Sequence, residues 1–158
     1  MGIAVTGEVI KSALSLKILE TFPTIPVYKE KIPQGFITPS FFINALDTSQ
    51  EEVGKNIYEQ TYLMNVRYVP QDGLSNTYEV LSGIGNTLMD ILSSIDVDIY
   101  LGSYVEGLPV LGKKQVLGEL LSYKNQDEVL QFFGTYTIRV KRASTDTINY
   151  MDSLEINQ

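Results

Sequence analysis

Side chains that can carry proton-transfer or metal chemistry are few in this sequence. The 158 residues include no cysteine and no histidine. Their absence removes thiolate chemistry, cysteine zinc sites and the commonest general base near neutral pH. The noticeable acidic groupings are Glu51-Glu52 and the pair Asp96 and Asp98. Catalytic carboxylates need burial to shift their pKa values, whereas both groupings lie at predicted loops or strand edges, so we interpret them as solvated.

Nucleotide and nucleic-acid motifs are also weak. Gly83-Ile84-Gly85 begins like a dinucleotide-binding loop, but no third glycine follows at the required spacing and the segment lies inside a helical pattern. The net charge is −7, which disfavours duplex binding because affinity for phosphates needs clustered basic residues. The sequence therefore predicts no enzyme, no cofactor and no metal site. Small basic spots occur at Lys113-Lys114 and at Arg139, Lys141 and Arg142.

Two amphipathic helices are expected to support whatever surface the protein uses. Apolar residues recur at helical spacing over residues 8–22, and a second apolar stripe runs over about residues 76–95. Gly83 and Gly85 each cost about 1 kcal/mol relative to alanine inside a helix. Either burial of the stripe outweighs that cost, or the glycines allow close packing against a sheet.

The strand pattern is clearest over residues 57–69, where tyrosines and aliphatic residues alternate with polar ones. The polar segment 47–55 contains Gly54 and predicts a hairpin loop or a flexible excursion. A β-bulge is expected near Gly118. Further strands are predicted over residues 27–32, 41–46, 97–105, 116–124 and 132–142.

This order of elements predicts an α+β fold. We expect a mixed, mostly antiparallel sheet of about five to six strands with two main helices packed on one face. No linker or repeat divides the chain, so residues 1–143 are interpreted as one domain. The remainder, residues 144–158, is a polar C-terminal tail.

The first half of the chain, from Ile10 to Pro70, carries short motifs at fixed spacing, and through them it resembles the tail terminator proteins of phages and phage tail-like particles of Gram-positive bacteria. The second half agrees only in the order of its elements. The motifs are a helix ending in Phe22-Pro23, then Ile25, Val27-Tyr28 with Glu30, Gln34-Gly35-Phe36, Pro39-Ser40-Phe41-Phe42-Ile43, Ser49-Gln50-Glu51, and the tyrosine-rich strand ending in Tyr68-Val69-Pro70.

The resemblance implies a structural role without catalytic residues. Such proteins form a ring, typically a hexamer, on the last disc of the tail tube, where the ring stops tube polymerisation and offers a surface to the head-side connector. The implied partners are further copies of the chain, the tail tube protein, the neck or connector protein, and the sheath where the tail is contractile. DNA would pass through the lumen without specific binding, and no membrane is involved. The implied location is the head-proximal end of the virion tail, after assembly in the host bacterial cytoplasm.

Segment 47–56 and the tail after Ala143 are expected to be interface segments that neighbours order. Three other classes of protein stay open: another neck or tail-completion protein of the virion, a non-viral α+β module that binds a peptide or small ligand, and a carboxylate-dependent enzyme. The residues predicted to lie at interfaces are Asp47, Gln50, Glu51, Glu52, Lys55, Lys113, Lys114, Arg139 and Lys141.

Overall fold

The structure, a computed structural model, describes residues 3–4, 7–29, 34–73, 77–101 and 112–141. The tail predicted over residues 144–158 lies outside these described residues. The elements follow in the order β1 (Ile3–Ala4), α1 (Gly7–Thr21), β2 (Val27–Tyr28), β3 (Ser40–Gly54), β4 (Ile57–Val69), α2 (Thr77–Ile91), β5 (Ser94–Leu101), β6 (Gly112–Gln126) and β7 (Val129–Lys141).

The described strands form one seven-stranded sheet in the order β1-β5-β6-β7-β4-β3-β2. Only the contact between β2 and β3 is parallel, and the other neighbours are antiparallel. Five strands are long, while β1 and β2 at the two edges have two residues each. The predicted α+β fold with a mixed, mostly antiparallel sheet is confirmed.

Both helices pack against the sheet and enclose a single apolar core. Helix α1 and strand β4 match their predicted limits to within one residue. Burying each large apolar side chain contributes about 1.5–3 kcal/mol. No helix in the described ranges is long and apolar enough to cross a membrane. Core side chains with 0% exposure include Ile10 and Leu14 of α1, Leu88 of α2, and Ile43, Met64, Val66 and Phe132 of the sheet.

The predicted loop over residues 47–55 is wrong. β3 continues through this segment to Gly54, and its residues pair with β4 from Asp47↔Leu63 to Gly54↔Ile57. Only Lys55 and Asn56 form the turn. The segment is polar because it is exposed, and cross-strand pairing with β4 keeps it extended despite its composition.

Helix α2 packs closely on β6 at one of its two glycines. A Cβ atom on Gly85 would lie 2.6 Å from the ring of Tyr123, whereas a Cβ atom on Gly83 would have no atom within 4 Å. The expectation that a glycine permits close packing is therefore confirmed for Gly85. Gly83 lies on the exposed side of the helix.

The helix ends at Ile91, earlier than predicted, because the next residues bond to the sheet. The backbone N–H of Gly118 donates to the carbonyl of Ser93 at 2.8 Å, and the Tyr136 hydroxyl donates to the carbonyl of Leu92 at 2.7 Å. Carbonyls that would otherwise be unsatisfied at the helix end are thus paired. β5 consequently begins at Ser94 rather than at the predicted residue 97.

β6 changes its neighbour at Gly118. Residues up to Leu117 pair with β5, and residues from Gly118 onward pair with β7. The predicted bulge lies two residues further on, where the register shifts between Glu119 and Ser122. Leu120, inside this shift, has a φ of 53°.

Candidate assembly surface

The last part of β3 and the first part of β4 form a hairpin, which we call the hairpin arm (residues 45–61). Every β3 residue from Ala45 to Val53 is exposed. Its two-residue turn requires a left-handed backbone, and Asn56 adopts it with a φ of 58°, as asparagine does readily. The arm therefore presents the side chains of its β3 strand to solvent, while Tyr58 of its β4 strand packs against the core.

Acidic side chains dominate the β3 side of the arm. Asp47, Glu51 and Glu52 are all exposed, and β3 contains no lysine or arginine. Glu51 lies directly opposite Glu59 of β4, an arrangement of like charges that destabilises a strand pair.

A basic side chain from β7 offsets this repulsion. Arg139 is the register partner of Glu59 on the other side of β4, and its Nη2 donates to Glu59 Oε1 at 2.9 Å. Beside the row formed by Glu51, Glu59 and Arg139, Gln60 Nε2 donates to Gln50 Oε1 at 3.0 Å. The structure thus brings Arg139 to the arm that holds the predicted residues of segment 47–55.

The two predicted lysines of β6 lie elsewhere in the sheet. Lys113 and Lys114 pair in register with Asp98 and Val97 of β5. Lys113 Nζ lies 3.7 Å from Asp98 Oδ1, and this exposed ion pair contributes at most about 1 kcal/mol. Lys141 is the last residue of β7, opposite Ile57. The predicted interface residues therefore divide into one group on or beside the hairpin arm, which includes Arg139 and Lys141 of β7, and one on β6.

Exposed apolar side chains were missed by the sequence interpretation. Leu46 and Val53 of β3 are 53% and 43% exposed, and Leu117 and Leu120 of β6 are 64% and 84% exposed. The irregular alternation of β6 is the signal that could have indicated the second pair. No comparable signal separates Leu46 from the buried run before it.

An aromatic cluster lies on the sheet face opposite the helices. Phe41 belongs to the core, so the adjacent Phe42 points to the other face. The Phe42 ring stacks on Tyr28 at a centroid distance of 5.3 Å and meets Phe36 edge-on at 5.0 Å. The Arg67 guanidinium carbon lies 6.0 Å from the Phe42 ring centroid. This cluster fixes β2 to β3 at one end of the sheet.

Metal ligands and tyrosine hydroxyls were considered within the residues that the structure describes. No three histidine, cysteine or acidic residues among them are grouped to hold a metal. Burial raises the pKa of Tyr68 and of Tyr136 above the ordinary value of 10.0, so both hydroxyls stay protonated at neutral pH. The arrangement is suited to recognition through strand backbone, charge and exposed apolar groups.

Comparison with known proteins identifies a family and a solved structure to which the chain is similar. The model of a family described as phage tail terminator protein matches residues 9–148. No curated protein matches the sequence. A solved chain from the virion of a native gene transfer agent particle is 11% identical, with a TM-score of 0.49 over 85% of this chain and 96% of that chain.

Proposed function

Since this chain belongs to the phage tail terminator family, whose model spans residues 9–148, we propose that it caps the head-proximal end of the tail tube as a ring. In this role it ends tube polymerisation and provides the surface to which the head or neck is joined. At the coarser level the family identifies a structural protein of the phage tail and hence of the virion. The proposed partners are the tail tube protein, a neck or connector protein and, in a contractile tail, the sheath.

The family match is the observation that carries this proposal. It confirms the resemblance seen from Ile10 to Pro70, and it extends through the second half of the chain, where the sequence agreed only in element order. The exposed hairpin arm supports the proposal because a cap needs surfaces for neighbouring molecules. A role without catalysis agrees with a family of structural tail proteins.

The proposed ring leaves its lumen open to DNA. A net charge of −7 supports passage without specific binding, because carboxylates repel phosphates and phosphate-binding proteins concentrate lysine and arginine. Retention of duplex DNA by the purified chain at physiological salt would contradict this part of the proposal.

Electron microscopy of particles from a producing strain that lacks the gene tests the proposal directly. We expect tail tubes of uncontrolled excess length, because nothing would stop addition of further tube discs. Restoring the gene on a plasmid should return tails to their normal length. The distribution of tail lengths in the two strains is the measurement.

Other outcomes of this experiment would change the assignment. Tails of normal length that fail to join heads would favour a different neck or tail-completion protein. Unaltered, infectious particles would contradict both roles.

A further inference from the structure

We draw no further inference here: the strongest candidate, the surface patch formed by the exposed Leu117 and Leu120 at the bulge of β6, carries nothing because nothing in the structure shows what covers it.

Discussion

The helix-backed end of the sheet and the hairpin arm are built from the same two strands. In the first, Phe41 and Ile43 of β3 and Met64 and Val66 of β4 are fully buried beneath the helices. In the second, residues 45–53 of β3 are all exposed. One continuous strand thus contributes stability at its beginning and an accessible edge at its end.

The two regions are held together by different interactions. Burial of large apolar groups at the helix-backed end contributes about 1.5–3 kcal/mol per side chain. The arm relies on polar cross-strand contacts such as Gln50–Gln60, Thr61–Thr137 at 3.1 Å and Glu59–Arg139, each contributing roughly 0.2–1 kcal/mol. Substitutions in the arm can therefore change assembly while the fold is kept.

Truncating one apolar residue in each region should give the largest difference. Ile43→Ala removes a side chain with 0% exposure, whereas Leu46→Ala truncates one that is 53% exposed on the same strand. We expect Ile43→Ala to lower the free energy of unfolding by about 2–5 kcal/mol and Leu46→Ala to change it by less than about 0.5 kcal/mol. Urea unfolding of dilute monomer measures both values.

The order of the two substitutions should be reversed for ring formation, with Leu46→Ala having the larger effect on assembly. Leu46→Ala is expected to weaken ring formation if the exposed hairpin arm that carries Leu46 contacts neighbouring copies. If Leu46→Ala lowers the free energy of unfolding as much as Ile43→Ala does, the arm belongs to the folding core. That result would contradict the distinction drawn between the arm and the helix-backed end.

The two glycines of α2 provide a smaller contrast within one helix. Gly85→Ala would place a Cβ atom 2.6 Å from the Tyr123 ring, while Gly83→Ala meets open space. We expect Gly85→Ala to cost about 1–3 kcal/mol through overpacking. Gly83→Ala should instead stabilise by about 0.5–1 kcal/mol, because alanine favours the helix. Thermal unfolding of both variants, with the wild type as reference, gives the sign of each change.

A small effect is expected from removing one buried hydroxyl. Tyr136→Phe loses the bond to the Leu92 carbonyl and should cost about 0.5–1.5 kcal/mol. Tyr78→Phe is the control, since Tyr78 is 74% exposed, and it should be nearly neutral. Equal costs for the two variants would contradict a specific role for the buried hydroxyl.

The Tyr136→Phe substitution should also change how the free energy of unfolding depends on pH. Burial raises the folded-state pKa of Tyr136 above the ordinary value of 10.0, so the protonated hydroxyl stabilises the fold fully below pH 10.0 and that stability is lost as pH rises above it. Wild-type protein should therefore lose more unfolding free energy above pH 10 than Tyr136→Phe does. Urea unfolding at neutral pH and above pH 10 measures the difference.

Sequence patterns predicted the elements whose periodicity reflects burial. β4 was predicted with its observed limits, Ile57–Val69, because one face of it packs on the core. The second half of β3 was missed, since exposure on both faces leaves no apolar alternation to detect. Its extended form depends on pairing with β4, which a local pattern does not contain.

The candidate surface was predicted only in part, for a topological reason. Sequence inspection identified the charged residues of the hairpin arm and of β6, and their role at interfaces stays a prediction. It could not place Arg139 beside Glu59, because these residues are 80 positions apart. Nor could it place the acids of β3 and the lysines of β6 in different parts of the sheet, since that requires the order of its strands.

The position of β7 in that order has a consequence for synthesis of the chain. The β3–β4 and β6–β7 hairpins have two-residue turns, at Lys55–Asn56 and Asp127–Glu128, so each can form locally. β7 is the last described strand to leave the ribosome, yet it occupies the middle of the seven-stranded order, between β6 and β4. A nascent chain that stops before Val129 holds two unjoined parts of a sheet. Only chains synthesised beyond β7 can complete the fold, so we expect truncated copies to be excluded from assembly.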